Sequence, residues 1–336
     1  MQTRTIAIHY VRAALRGARR GGRDVSEVLV AAGISPALLD DTRARVTADQ
    51  YTRLVRSLWE FLDDEFMGFG SKPSRRGTFP MMCLLAVHCR DLGSALRRGW
   101  AFYRLFEGSP QVSIVEGDDG VVRFELAMSG FDDPDHFLTE SLLMLWHRFS
   151  SWLIGHRIPL RRADFAYPEP AHGVEYHLVF GCPPVFDAAG TALSFDRRFL
   201  DMPVVQDEVT LRRYLRQAPA ELLSRRDYGV DLAAQVRRIL GNGIAGGEQP
   251  SVTEVAARLD VSAPTLRRRL TAEGTSFRDV REQLLRDQAV ASLVRGNESV
   301  EALALRLGFS EASAFHRAFK RWTGSSPGAY RGGGMS

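Results

Sequence analysis

Cysteine is scarce in this chain: Cys83, Cys89 and Cys182 are the only three among 336 residues. An odd number without paired spacing argues against a disulfide framework and for a reducing, cytoplasmic setting. Apolar runs long enough to cross a membrane are missing, so no membrane partner is expected. Phosphate-cradling glycine loops are missing too, since Gly68-Phe69-Gly70 lacks the rest of a dinucleotide fingerprint. Spacing assembles neither a Ser-His-Asp set nor paired carboxylates, so the chain is expected not to be an enzyme and to use no cofactor. His88 and Cys89 beside Cys83 make no four-ligand set, and the apolar stretch from Cys83 to Leu85 reads as core. His172 and His177 have no acidic or cysteine partners in pattern, so no metal is expected either.

What is present is a globular composition, 45% hydrophobic and 25% charged. The formal net charge is +4, and its location matters more than its size. From residue 231 onward 15 Lys+Arg face 11 Asp+Glu, so that segment carries the whole surplus and the rest balances to zero. Such asymmetry fits a C-terminal part that meets a polyanion. At the other end six arginines, Arg4 to Arg23, precede the first acid, Asp24. Apolar residues run straight on through Val25, Val28, Leu29 and Val30, which favours a surface helix over a transit peptide.

Residues 1–106 read mainly as helix, with helical spacing in 47–62 and 91–106. Strand patterns follow at 111–116 and 121–128, separated by Gly117-Asp118-Asp119-Gly120, a hairpin signal. Then come a long helix at 135–154, strand candidates at 162–167, 175–180 and 192–195, and a charged helix at 206–224. Beyond 225–230 every pattern is helical, with a break expected at Gly241-Asn242-Gly243 and a disordered tail at Gly332–Gly334. The expected architecture is an α+β sensor or dimerisation domain, 1–224, followed by an all-α domain, 225–336.

Two segments of the last third resemble each other. Val255-Ala256-Ala257-Arg258-Leu259-Asp260-Val261-Ser262 matches Leu303-Ala304-Leu305-Arg306-Leu307-Gly308-Phe309-Ser310, 48 positions on. With one residue inserted in the second copy, Leu266 matches Phe315, Arg268 matches Arg317 and Leu270 matches Phe319. Each copy spells a short helix, a tight turn and a second helix. Ser251 and Glu254 form a capping box. Gly308 suits a left-handed turn, and Asp260 tolerates one. Ser262 and Ser310 are the expected caps of the second helices. Those helices should turn Ala263, Leu266, Leu270, Phe315, Phe319 and Trp322 inward. Facing outward are Pro264, Arg267, Arg268 and Thr271 in the first, and Ala312, Ser313, His316, Arg317 and Lys320 in the second. Short polar and arginine side chains on such a face suit the major groove of double-stranded DNA. Residues 277–295 form one continuous helical pattern, roughly 28 Å at 1.5 Å per residue. That length could hold the two units in successive major grooves, about 34 Å apart.

The run from Ala304 through Gly308-Phe309-Ser310, Ser313, Phe315, Arg317, Phe319-Lys320-Arg321-Trp322, Gly324, Ser326-Pro327 and Tyr330-Arg331 closely resembles the signature of AraC/XylS-type transcription regulators. The resemblance covers about residues 231–331 and implies seven helices with two helix-turn-helix units joined by a long helix. It also implies base or backbone contacts from Pro264, Thr265, Arg267 and Arg268, and from Ala312, Ser313, His316 and Arg317. Ala312 is a departure, because it offers no hydrogen bond. The stretch Phe180-Gly181-Cys182-Pro183-Pro184 through Leu193-Ser194-Phe195-Asp196 and Leu200-Asp201-Met202-Pro203 is similar to the end of the arabinose-binding-type sensor domain. That domain belongs to the ornithine-utilisation regulator and VirS subgroup. It implies an activator that answers a small-molecule effector. Promoter DNA, RNA polymerase and a second copy of the chain are the expected partners. Aromatics at helical spacing are core residues first, but Trp100, Tyr103 and Trp146 are candidates for a ligand pocket. Two alternatives stand beside this reading: a dimeric regulator without a ligand, and an alkyl-transfer repair enzyme fused to a DNA module, which would need an activated cysteine.

Overall fold

The computed structural model describes residues 5–331, except 118, 171–172, 174–175, 177–178, 224–231 and 247. His172, His177 and the glycine tail lie outside the described residues. By contact the chain divides into two units that do not follow chain order. One comprises Met1–Arg12, Ser26–Leu54 and Arg226–Ser336; the other comprises Ala13–Val25 and Val55–Arg225.

The second unit is α+β, as its patterns suggest. Its sheet has the order β3-β4-β7-β5-β6, with β3 Gln111–Glu116, β4 Val121–Ala127, β5 Leu160–Asp164, β6 Pro184–Val185 and β7 Thr191–Asp196. All pairings are antiparallel except β5 with β6. The hairpin closes where the Gly117–Gly120 signal lies, with Glu116 opposite Val122. Alternation along β4 buries Val122, Phe124 and Leu126. Against that face lie the rings of Trp100 and Trp146, centred 5.5 and 6.1 Å from Phe124. Trp100 belongs to α5 (Leu92–Tyr103), which Asp91 caps, and Trp146 to α6 (Phe137–Leu153). The two remaining helices that matter below are α4 (Thr78–Val87) and α7 (Glu208–Leu223).

One strand expectation fails. Tyr176, Val179 and Phe180 are helical. Tyr176 and Phe180 alternate with Leu178 like strand residues, but they are also four apart. Both rings pack on Phe165, at 4.7 and 5.3 Å, which the helical spacing permits.

The first unit holds seven helices after residue 231, from α8 (Leu232–Ala245) to α14 (Pro327–Arg331), among the described residues. The expected break at Gly241–Gly243 is absent, and α8 runs Leu232–Ala245. A glycine inside a helix costs about 1 kcal/mol relative to alanine. Here it is needed, because a Cβ on Gly243 would lie 2.4 Å from the Pro250 ring.

Sequence patterns also gave no sign of a two-stranded ribbon, β1 (Thr5–Ala7) with β2 (Arg45–Thr47), in this same unit. It packs on the long helix α11 (Phe277–Arg295) through a buried polar cluster. The Asp287 carboxylate accepts from the Thr5 hydroxyl and pairs with Arg237. The Arg45 guanidinium donates to the Thr5 hydroxyl at 2.7 Å and to its carbonyl at 2.8 Å. The Arg45 amide donates to the Tyr330 hydroxyl at 3.0 Å. Burial alone would raise the Asp287 pKa, but Arg237, Arg286 and Arg45 outweigh it and hold it below the ordinary carboxylate value.

Candidate nucleic-acid interface

The first helix-turn-helix is α9 (Val252–Arg258) and α10 (Ala263–Ala272); the second is α12 (Val300–Arg306) and α13 (Ala312–Thr323). Ser251 and Glu254 close the capping box that starts α9. The turns are the same structure twice. The Val261 amide donates to the Ala256 carbonyl at 3.1 Å, and the Phe309 amide to the Ala304 carbonyl at 2.9 Å. The preceding residue is left-handed in both, φ 54° at Asp260 and 85° at Gly308. Ala256 and Ala304 are buried beneath the crossing, where larger side chains would push the helices apart.

Both second helices divide their faces as expected. Leu266 and Leu270 are buried in α10, and Phe315 and Phe319 in α13. Trp322 is half-buried, with its ring 6.0 Å from Phe309. Pro264, Arg267 and Arg268 are exposed on α10, as are Ser313, His316, Arg317 and Lys320 on α13. Thr265 and Ala312 are half-buried. The Thr265 hydroxyl is engaged by Ser262 at 2.9 Å, within the α10 cap. Ser313 donates to the Glu311 carboxylate at 2.9 Å.

Ser310 is not the cap of the second helix. Glu311 occupies that position and its side chain makes no cap bond. The one-residue insertion delays the start of α13 to Ala312, so the serine that matches Ser262 falls one place early.

Charge pairing separates these arginines from others in the unit. Arg258 reaches Glu248 at 3.4 Å, Arg278 reaches Glu282 at 3.2 Å and Arg306 reaches Glu298 at 2.5 Å. Arg267, Arg268 and Arg317 have no ion pair among the described residues. A guanidinium without an acidic neighbour keeps its fork of donors for a phosphate or a base edge. Arg269, exposed on the same helix, stands likewise, and the sequence reading passed it over. Three consecutive arginines span most of a helical turn, so 269 looked like the flank of the face rather than part of it.

Helix α11 joins the units. Ser276 caps it, accepting from the Asp279 amide, and Gly296 ends it at φ 68°. Its 19 residues are those the pattern delimits.

The three ligand candidates separate. Tyr103 lies on the wall of a cavity of about 820 Å³. Trp100 and Trp146 pack against each other in the core, with ring centres 4.3 Å apart and planes tilted by 39°, and Trp146 borders a void of about 20 Å³. Sequence reasoning missed the cavity residues Trp59, Glu65 and Phe79, whose spacing carries no pattern.

The thiols weigh against alkyl-transfer chemistry. Burial, then the neighbouring Glu65, pushes Cys83 well above the ordinary thiol value. Burial raises Cys89 and lifts Cys182 to about 11. A nucleophilic cysteine needs the opposite shift.

Residues 22–204 match the family described as the arabinose-binding domain of AraC transcription regulators, N-terminal, and residues 255–333 match a helix-turn-helix domain family. An ornithine utilization regulator of Pseudomonas aeruginosa is 28% identical over 90% of this chain and 88% of its own length. An uncharacterised HTH-type transcriptional regulator of Mycobacterium bovis is 30% identical over 93% of this chain and 92% of its own. The regulator VirS of Mycobacterium tuberculosis is 30% identical over 54% of this chain and 53% of its own. The chain therefore belongs to the AraC-type family of helix-turn-helix transcription regulators, which are DNA-binding proteins and not enzymes.

Proposed function

We propose that this regulator reads a two-part promoter site with α10 and α13 in successive major grooves and activates transcription when a small metabolite binds residues 1–224. Arg267 and Arg268 supply the strongest base or phosphate contacts of the first half-site, with Pro264 and Thr265 at the helix start. Arg317, His316, Lys320 and Ser313 supply those of the second, and Ala312 packs on a thymine methyl group. The observation that carries this reading is the pair of matched turns on one 19-residue helix, each presenting an arginine-bearing face. RNA polymerase is the partner on the promoter, a second copy of the chain pairs through the first 224 residues, and the site of action is the cytoplasm. The ornithine utilization regulator among its relatives carries a metabolite in its name, which supports an effector of that size.

The test is capture of sheared genomic DNA on the purified full-length protein, with and without metabolite extracts, followed by sequencing. Enrichment of a few promoter fragments with paired elements about one helical turn apart is expected. Enrichment without sequence preference at moderate salt would remove the base contacts from the proposal. Enrichment that no extract alters would remove the effector.

A further inference from the structure

The cavity of about 820 Å³ in the sensor unit has the size of a small-molecule site and mostly apolar walls. Trp59, Phe79, Pro80, Tyr103, Leu142 and Leu145 form much of its lining. Its charged groups are not equivalent. At the rim, Arg76 pairs with Glu60 at 3.2 Å with both side chains about half exposed, and Arg56 donates to the Arg216 carbonyl. Water and existing partners already serve these cations. Glu65 is different. It accepts from the amides of Gly77 and Phe79, 2.8 Å each, at the start of α4. Among the described residues no side-chain cation pairs with it. Its charged neighbourhood is acidic or neutral, with Asp64, Cys83 and Tyr103 close and only Arg76 opposing. Each carboxylate oxygen keeps a lone pair beyond its amide bond. The consequence is a carboxyl whose pKa burial lifts to about 7.

We propose that this cavity binds a small amphipathic cation, an apolar or aromatic body bearing a protonated amine, with the ammonium on Glu65 and the body among the rings of Trp59, Phe79 and Tyr103. The inference rests on the ligand-responsive reading above and names its ligand chemistry. An ammonium supplies the counter-charge the half-buried carboxylate lacks, and the aromatic faces add cation–π attraction. An anion would instead have to displace the rim partners of Arg56 and Arg76 and lie beside Glu65, whose like charge disfavours it.

Calorimetric titration of the full-length protein tests this with 4-phenylbutylammonium chloride and the size-matched sodium 5-phenylpentanoate. The ammonium probe is expected to bind saturably and the carboxylate not at all. Glu65→Gln should weaken the ammonium at least about tenfold. Leu145 lines the same cavity, and Leu145→Trp, which narrows it, should weaken binding as well. It keeps the cavity assignment testable if Glu65→Gln does not fold. A carboxylate that binds, and is weakened in Leu145→Trp, would overturn the cation assignment and leave the effector reading intact. Binding of neither probe to protein with an undisturbed melting curve would overturn the assignment. If metabolite extracts also leave promoter capture unchanged, the effector reading falls with it.

Discussion

The two helix-turn-helix units share a turn geometry but are stabilised differently. The first rests on aliphatic packing and caps: Leu266 and Leu270 below, and a serine at the head of α10. The second rests on rings. Phe315 lies 5.6 Å from both Phe309 and Phe319, and Phe319 lies 5.2 Å from Tyr330. With that support it dispenses with a side-chain cap. Their faces differ in the same sense, with three adjacent arginines on α10 and a mixed set on α13. The contrast teaches that a duplicated scaffold holds its geometry by whichever means each copy has, leaving the outward residues to diverge.

The largest expected effect strikes both copies alike. Asp287→Ala on α11 leaves Arg237 buried without the carboxylate it pairs with and should cost about 3–5 kcal/mol, read by denaturant unfolding. Its pH dependence has a definite sign. The folded carboxyl titrates below its unfolded value of about 3.9, so its contribution is complete above that value and disappears as pH falls through the lower folded one. The gap in stability between parent and Asp287→Asn should therefore close on acidification below about pH 4. A gap unchanged by acid would show that the pair is not what holds the ribbon.

Phe315→Ala should cost about 3–5 kcal/mol, against about 2–5 for Leu266→Ala. Footprinting should show the second half-site lost first in the former and the first half-site in the latter. Loss of both together in either variant would mean that the copies are not independent. For DNA, Arg268→Ala should cost about 1–3 kcal/mol at one base position, while Lys320→Ala should weaken all sequences evenly and lower the salt slope by about one. Competition binding to single-base variants of the captured site reads both.

Smaller effects test the turns. Gly308→Ala places a Cβ at φ 85° and 2.8 Å from the Gln249 side chain, for a cost of about 1–2 kcal/mol. Asp260→Gly, in the equivalent place, should change stability by less than about 1 kcal/mol. Ser262→Ala should cost about 1 kcal/mol and, smallest of all, Glu311→Ala close to nothing, because only the Ser262 side chain accepts a cap bond from the helix. Equal cap effects in thermal melts would contradict the contrast drawn above.

The DNA-reading half was legible because its signals are local. A capping box, a left-handed turn residue and apolar spacing act within a few residues of one another, so α9 to α13 could be placed from the chain alone. Legibility stopped where partners are distant. Thr5 and Asp287 are 282 positions apart, and nothing in either neighbourhood announces the other. Asp287 reads as one more exposed charge on a polar helix. Glu65 likewise sits between Asp64 and Phe66 like any loop acid, and only the folded chain shows it at a cavity wall. Residues 175–180 failed for another reason, since a strand period and a helix period coincide in Tyr176 and Phe180. Ser310 failed because one inserted residue shifts a cap without disturbing the turn before it.

The ribbon of β1 and β2 has a consequence for synthesis. Because Met1–Arg12 and Ser26–Leu54 share a unit with Arg226–Ser336, the unit that reads DNA is interrupted by most of the other one. On the ribosome, the residues of the ribbon are made before Val55–Arg225, and they meet Asp287 and Tyr330 only after that stretch has been made. Closure over so long an intervening stretch is slow unless that stretch has already folded and shortened the search. The order of assembly is thereby written into the chain: the ribbon can close on the helix that joins the two DNA-reading units only after the residues of the other unit have been made.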